Sequence, residues 1–447
     1  MLSSIPLVGR LLARGPAPPS ARLLTAVAVH HTETDPEKRA RTLKYLLKGN
    51  HINHSLVQSS SQDLSSASTD SFSYNDVAYL LYAVYMMGGS TEVLNAAYSS
   101  SLPSRAEWVD SPAEIARIDW RDFFGQPIYQ RAYVDFFEDV LAEHSVAYNW
   151  HTVVQQYLLG EGYDESDDVA DDDDGTEAIA KRGIFLRHCL LGAAGAPILH
   201  LACAFELDSR QLAMEGLALA SATYREDVAQ LLTDLQGTAI FEANEELKGA
   251  SLRAIFDAAR HDSRFGAYRN STSSEQPGFK TIGGSFKTSD AQLAFTKYWR
   301  AWDLAGTADL TPKLKEAQRV FAGLLVAPGK KQHSSSIATA LSVSHGVRVL
   351  LPCIPAKYHL CILQQWWLLA LAIYIEAGLP AVPEDAVDGA AAESKDWRYV
   401  NDKAIISNQP YMMVLHSLRT ASQTWTDESD YYLAAAVRFV DDFGSWS

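Results

Sequence analysis

Histidine is the residue type in this sequence that offers the most chemistry. The chain has 13 histidines, and several lie in apolar stretches, where a neutral imidazole needs a hydrogen-bond partner or a metal ion. His200 lies in the apolar stretch 196–206, with Cys203 one helical turn further on. His345 lies in a second apolar segment, and His359 and His416 are weaker cases. Such imidazoles can serve as bases or ligands, although each alone is more often a core histidine with satisfied hydrogen bonds.

Two further histidines form a pair in the sequence. His51 and His54 are three residues apart, so both rings would lie on one face if this segment is helical. The spacing suits iron or zinc, and the alternative is a capping or loop pair at a helix end. The carboxylates Asp76, Glu206 and Glu215 lie in or near apolar helical segments, but the sequence places no pair of them at a catalytic separation.

The aromatic content indicates what such residues could act on. The chain has 10 Trp, 20 Tyr and 16 Phe residues, enough to line a cavity for a flat polycyclic ligand, although core packing uses the same residues more often.

Composition excludes several classes of protein. Asp and Glu total 54 against 38 Lys and Arg, which gives a net charge of −16 in 447 residues, so nucleic acid is not an expected partner. The four cysteines contain no CxxC pair, which argues against a disulfide framework or zinc ribbon and favours a reducing compartment such as the cytoplasm. The apolar run 360–375 is too short for a membrane span and is interpreted as a buried core helix.

The N-terminal segment differs from the rest of the chain. Residues 1–32 contain no acidic residue but include Arg10, Arg14 and Arg22, which is typical of either a disordered terminus or a mitochondrial transit peptide. We expect residues 1–32 to be dispensable for folding, and residues 33–447 to form one domain.

The elements that must position these side chains are predicted to be helices. Tyr133, Phe136, Phe137, Val140 and Leu141 repeat at helical spacing, other apolar segments are rich in Ala and Leu, and strand-like alternation is scarce. Polar runs at 59–73, 161–177, 266–289 and 380–395 separate the helical blocks and are predicted to be surface loops. The phosphate-binding and serine-hydrolase motifs GxGxxG, GxxxxGK[ST] and GxSxG are absent. The prediction is an all-α fold, a single multi-helical domain around an internal cavity.

The order of several dispersed motifs resembles the questin oxidase-like family, fungal oxidoreductases of aromatic polyketide pathways in secondary metabolism. The motifs are 46–54, 75–89 ending in Tyr85-Met-Met-Gly-Gly89, Trp120 to Gly125 followed by Tyr129, Tyr133 and Phe136-Phe137, Gly195 to His200 with Glu206 and 215–218, Ser344-His345, and Tyr374 to Pro380.

The resemblance implies O2-dependent oxidation of an anthraquinone-like substrate. This chemistry is either Baeyer–Villiger oxidation with NADPH or oxidative ring cleavage by a dioxygenase with histidine-bound iron. The histidines that best match the family's are His54, His200 and His345, with His51 beside them; these four are the implied metal ligands. His54, His200, His345 and Tyr79 are the implied catalytic residues, and we expect the three histidines to converge on one cavity.

Two motifs depart from the family pattern, and the first of them keeps only its asparagine, Asn75. Where the family tends to read Phe-His-Asn-His-x-x-His, this chain has Ser73, Tyr74, Asn75, Asp76 and, at the last histidine, Tyr79; where it tends to read His-Pro, this chain has Ala196 before its proline. Tyrosinate and carboxylate can ligate ferric iron, so the changes indicate either a remodelled metal site or its loss. If the metal site is lost, the protein is expected to be either a metal-free oxidase, in which one imidazole deprotonates a phenol and the electron-rich ring reacts with O2, or, as the alternative function, a non-catalytic helical ligand-binding or scaffold protein.

Overall fold

A computed structural model of the chain confirms the all-α prediction. It describes residues 19–22, 24–59, 72–164, 183–237, 247, 249–269, 288–327, 331–383, 394–406 and 408–447. Most of the four predicted polar loops lies outside these residues. Helices dominate the described residues, and the strands are two or three residues long.

The described part of the chain contains α-helices from near its beginning to near its end. They are α1 (Lys38–Asn53), α2 (Val77–Met86), α3 (Thr91–Ser101), α4 (Gln130–Ala142), α5 (Trp150–Val153), α6 (Gly192–Leu207), α7 (Arg210–Ala222), α8 (Glu226–Gly237), α9 (Leu252–His261), α10 (Ser289–Ala301), α11 (Thr311–Leu325), α12 (Ser335–Leu350), α13 (His359–Glu376), α14 (Trp397–Lys403), α15 (Gln409–Thr424) and α16 (Ser429–Asp442).

Two small strand pairs brace the helices. Strand β1 (Val57–Ser59) pairs antiparallel with β2 (Phe72–Tyr74), and β3 (Gln332–His333) pairs parallel with β4 (Ser445–Trp446). Because β2 ends directly before α2, the β1–β2 pair fixes the position of Tyr74 at the start of that helix.

Four helices that are distant in the sequence form the centre of the fold. Helix α6 packs on α12, α12 on α15, α15 on α2, and α2 on α6. The N-cap residue Asp76 of α2 and first-turn residues of the other three helices line one cavity, and last-turn residues of all four line another. The four helices therefore run parallel, and the 10 residues of α2 span about 15 Å between the two ends.

The apolar run 360–375 lies within α13, and residues 362–375 are all buried, as interpreted from the sequence. By length and hydropathy alone, Ser335–Cys353 and Ala356–Glu376 could each cross a membrane, and 83% of the apolar window of each is buried inside the fold. The core helix of a globular protein meets the same criteria.

Helix α6 begins with an unusual turn. Ala193, Ala194 and Gly195 have φ values of 44°, 60° and 81°, in the left-handed region that L-residues with a Cβ adopt at a cost. The regular helix starts only after them, and Pro197 occupies its first turn, where a missing N–H does no harm.

The N-terminal segment packs on the fold from residue 19 onward. Ala21 and Thr32 are buried; the Ala21 N–H donates to His359 Nδ1, and the Thr32 N–H donates to Leu207 O. The chain therefore packs well before the predicted domain start at residue 33. Residues 1–18 lie outside the described residues, so for them the prediction of a disordered or targeting terminus stays a prediction.

Candidate functional site

The first-turn end of the four-helix centre contains a cavity of about 320 Å³, which we call the Tyr74 cavity. Its walls are apolar at Leu199, Ile373 and Met413, and polar groups are contributed by Tyr74 and Asp76. The volume is at the small end of the usual range for ligand pockets, so the cavity suits a single small aromatic molecule. The remaining lining residues are Gln58, Ser73, Arg105, Ala193, Ala194, Ala196, Ser335, Ala338, Thr339, Ser342 and Pro410.

The helix ends give this cavity a positive electrostatic character. Helices α2, α6, α12 and α15 all begin at its wall. Each N-terminus carries the positive end of the helix dipole, which favours a negative charge in front of it. A capping side chain already accepts from one N–H group of α2, of α12 and of α15. Arg105 adds a guanidinium, whose Nη1 lies 3.3 Å from Asp76 Oδ1. Asp76 offsets the charge of Arg105, so the helix N-termini are the feature of this cavity that favours an anionic form of a bound ligand.

A chain of hydrogen bonds runs from the cavity to the protein surface. The Tyr74 hydroxyl lies 3.0 Å from His200 Nδ1, and His200 Nε2 lies 2.8 Å from Glu215 Oε2. The other carboxylate oxygen of Glu215 lies 2.7 Å from His51 Nδ1. Finally, His51 Nε2 lies 3.2 Å from Glu138 Oε1, and the Glu138 side chain is 43% exposed. The series Tyr74, His200, Glu215, His51, Glu138, which we call the relay, thus links the cavity to solvent.

The ionisation of the relay follows from its electrostatics. Burial alone would lower the pKa of His51, but hydrogen bonds with Glu138 and Glu215 raise it to about 10. Burial alone would raise the pKa of Glu215, but hydrogen bonds from His200 and His51 lower it to about 2. His51 is therefore the imidazolium and Glu215 the carboxylate of a buried ion pair.

The direction of each hydrogen bond then follows. The Glu215 carboxylate can only accept, so the proton of His200 lies on Nε2, and Nδ1 is left to accept from Tyr74. Burial raises the pKa of Tyr74 well above its ordinary value, which keeps its hydroxyl protonated. Tyr74 therefore donates to His200, and its oxygen can accept a proton from a ligand in the cavity.

A second polar cluster occupies the opposite half of the four-helix centre. His345 Nε2 lies 3.3 Å from the Tyr82 hydroxyl and 3.7 Å from Glu206 Oε2, and its ring packs edge-on against His416 at 4.8 Å between centroids. Burial lowers the pKa of His345 well below its ordinary value and that of His416 to about 3, so neither ring carries a charge near neutral pH.

The structure divides the predicted histidines among separate surroundings. His200 and His51 share Glu215, whereas His345 belongs to the second cluster. His54 ends α1 and bridges Glu107 through its backbone, and no described hydrogen bond joins its side chain to either group. Tyr79, the fourth predicted catalytic residue, is fully buried beside Tyr82 and His416 and does not line the Tyr74 cavity.

The described residues do not fit a histidine-bound iron. Both ring nitrogens of His200 and of His51 are engaged by Tyr74 and carboxylates. Within the described ranges, no group of three or more His, Cys, Asp or Glu side chains is placed to hold a metal ion. The described contacts therefore do not bring the predicted ligands His51, His54, His200 and His345 together at one metal site. We derive no step that involves iron.

Sequence reasoning missed the roles of Tyr74 and Glu215. From the sequence, Glu215 is a carboxylate near an apolar helix and part of the motif at 215–218, and Tyr74 is a departure from a histidine pattern and a residue of a remodelled iron site. One signal was available for Glu215: a carboxylate among Leu, Ala and Met in α7 must find a cationic or donor partner when buried.

Fold and site together define an all-α protein with a hydrogen-bonded Tyr–His–Glu array at a cavity. The family model described as Questin oxidase-like matches residues 73–417 of the chain. The chain belongs to this family, as the order of its motifs indicated. No curated protein matches the chain.

Proposed function

We propose that this protein is an oxidoreductase that deprotonates a phenolic or enolic aromatic substrate in the Tyr74 cavity and lets the resulting anion react with O2. One observation carries the proposal: Tyr74 lines the cavity and donates to His200, which in turn donates to Glu215. Membership of the Questin oxidase-like family supports the assignment to an oxidoreductase.

The first step is proton transfer along the relay. The substrate hydroxyl donates to the Tyr74 oxygen, and as that proton transfers, the Tyr74 proton moves to His200 Nδ1. The imidazolium formed there is stabilised by the Glu215 carboxylate 2.8 Å away, in the way that a buried carboxylate supports the imidazole of a serine hydrolase. The phenolate left in the cavity faces four helix N-termini, which stabilise its negative charge.

The second step is oxidation of the electron-rich anion. The ring transfers one electron to O2, and the ring radical and superoxide combine to form a C–O bond. The outer peroxide oxygen then bonds to the neighbouring ring carbon, and the O–O bond and the C–C bond between the two oxygenated carbons break, which leaves two carbonyl groups. Both oxygen atoms enter the product, the substrate carbons are oxidised by the O2 that is reduced, and no external reductant is needed. Baeyer–Villiger oxidation places one oxygen atom in the product and needs two electrons from a donor such as NADPH.

The proposal is tested with hydroxylated anthraquinones and O2. We expect purified protein to consume one O2 per substrate, and mass spectrometry of products made under ¹⁸O2 to show two labelled oxygen atoms. One labelled atom together with NADPH consumption would show that the reaction is Baeyer–Villiger oxidation and not dioxygenase ring cleavage. Tight binding of substrate without O2 uptake would contradict the proposal and support a non-catalytic binding protein.

A matched pair of variants tests the relay within this reaction. Tyr74→Phe removes the hydroxyl that contacts His200, and we expect kcat to fall by about 100-fold or more. Tyr82→Phe is the control, because it removes a fully buried tyrosine hydroxyl that contacts His345 in the other cluster. Retained activity in Tyr74→Phe, or an equal loss in both variants, would contradict the assigned role.

A further inference from the structure

The last-turn end of the four-helix centre contains a second cavity, of about 440 Å³, which we call the Arg348 cavity. It lies at the opposite ends of α2, α6, α12 and α15 from the Tyr74 cavity. Arg39, Arg348 and Arg419 line it, together with Glu206 and His416.

The charges around this cavity are predominantly positive. Three guanidinium groups face one carboxylate, that of Glu206. The imidazoles of His30 and His416 also line the cavity, and burial lowers the pKa of each, so they add no positive charge near neutral pH. Counted over the lining side chains alone, the charge is net positive. Arg39, which also lies 3.8 Å from Glu37, and Arg419 offset the negative dipole ends of the four helices that end here, so Arg348 supplies the positive charge that suits an anionic ligand.

Two of the arginines have an evident structural role. The Arg39 Nη1 donates to Tyr85 O, and the Arg419 Nη1 donates to Met87 O, both at the C-terminal end of α2. Cations at this position cap the free carbonyls and complement the helix dipole. These contacts explain why Arg39 lies at this cavity. They use only one N–H donor of Arg419.

Arg348 is different. Its side chain is 5% exposed, and its nearest anionic partner is Glu206, at 3.8 Å between Nη2 and Oε1, which is too long for a hydrogen bond. Within the described part of the chain, Arg348 Nε, Glu206 Oε2 and His416 Nδ1 have no hydrogen-bond partner. Buried polar groups are normally satisfied, so several such atoms beside one cavity indicate a polar ligand or bound water.

We propose that the Arg348 cavity is a second binding site, which takes an organic molecule that carries a carboxylate or phosphate group. The oxyanion lies against the guanidinium groups of Arg348 and Arg419, whose planar forks match such oxygens. The apolar part of the ligand packs against Val27, Ala28 and Met86, which also line the cavity. This site is distinct from the Tyr74 cavity, and the proposed oxidation does not depend on it.

Calorimetric titration with benzoate and with phenyl phosphate tests the site. We expect saturable binding of at least one probe at a site that Arg419→Gln weakens, and the probe that binds this site more tightly identifies the preferred oxyanion. A second site that Arg419→Gln leaves unchanged belongs to the Tyr74 cavity, which also takes small aromatic anions. Arg419→Gln and Arg348→Met should each weaken that binding by about tenfold or more. Arg131→Gln, which removes an exposed arginine from an i, i+4 pair with Asp135, is the control for net charge and should bind as the wild type does.

Tyr74→Phe separates the two cavities, because it alters the first and leaves the second intact. Unchanged probe binding in this variant supports the assignment to the Arg348 cavity. Loss of binding in Tyr74→Phe, equal affinity in Arg419→Gln and the wild type, or no saturable binding of either probe up to about 10 mM would overturn the proposal and leave water as the occupant of the cavity.

Discussion

Glu215 is the residue on which the candidate site depends. Its side chain is 1% exposed, and its two oxygens accept from His200, His51 and Gln211. A buried carboxylate with this many donors is stable as an anion, and it fixes the proton positions of both imidazoles.

Glu215→Gln should therefore unfold the protein more easily. The change leaves the His51 charge without its buried counterion, and we expect the free energy of unfolding to fall by about 3–5 kcal/mol. Glu138→Gln is the control, because it removes the half-exposed partner of the same imidazole and should cost about 1 kcal/mol or less. Chemical denaturation measures both, and equal losses would show that Glu215 is not the centre of the network.

The buried carboxyl group of Glu206 should make the free energy of unfolding depend on pH. Burial raises its pKa to about 7, and Arg348 offsets this only in part. Since the folded pKa exceeds the unfolded value near 4.5, ionisation is disfavoured in the folded state, and stability is lost as the pH rises from about 4.5 through 7.

Glu206→Gln removes this loss. Relative to wild type, the variant should gain up to about 3 kcal/mol in unfolding free energy between pH 5 and pH 9. Denaturation at several pH values measures the difference. Parallel stability curves for the two proteins would contradict the raised pKa.

Residue-level prediction from the sequence succeeded where burial alone carried the argument. His200 and His345 lie in apolar helices, so each needed a buried partner, and each has one. The identity of the partners depends on tertiary contacts: Glu215 reaches His200 from the next helix, and Tyr74 reaches it from 126 residues away. The convergence of the two histidines on one cavity, together with His54, is predicted because one shared polar centre would satisfy three buried imidazoles, and the resemblance implies the same. In the described contacts His200 and His345 have separate partners.

At the scale of elements, the left-handed turn before α6 shapes the wall of the Tyr74 cavity. Ala193 and Ala194 line the cavity in a conformation that glycine adopts more readily. The sequence carries only a partial signal for this turn: Gly192, Gly195 and Pro197 favour a break, but alanine is the strongest helix former and the segment is predominantly apolar, which favours continuous helix.

Ala194→Gly tests the strain in that turn. We expect the free energy of unfolding to rise by up to about 1 kcal/mol, because glycine relieves the left-handed backbone. Ala202→Gly in the regular part of the same helix should do the opposite and cost about 1 kcal/mol or more. Destabilisation by both changes would show that the turn stores no strain.

At the scale of the whole molecule, helical periodicity was enough to predict the class of fold but not its arrangement. The parallel set of α2, α6, α12 and α15 joins segments that lie up to about 330 residues apart, as in the contact of Arg419 with Met87. Helical periods predict which face of each helix is buried, but not which helix covers it. Instead of one internal cavity, the parallel set has a cavity at each end, and only one of them adjoins the relay.

The central claim is that the Tyr74 cavity takes a proton from a phenol and holds the phenolate. A nitrophenol reports this directly, because its absorbance distinguishes phenol from phenolate. Titrating the bound probe between pH 4 and pH 9 should give an apparent pKa at least about one unit below that of the free probe, equivalent to about 1.4 kcal/mol. This shift should shrink in Tyr74→Phe and persist in Tyr82→Phe. A bound probe whose pKa is unchanged or raised, or a shift that survives in Tyr74→Phe, would contradict the account.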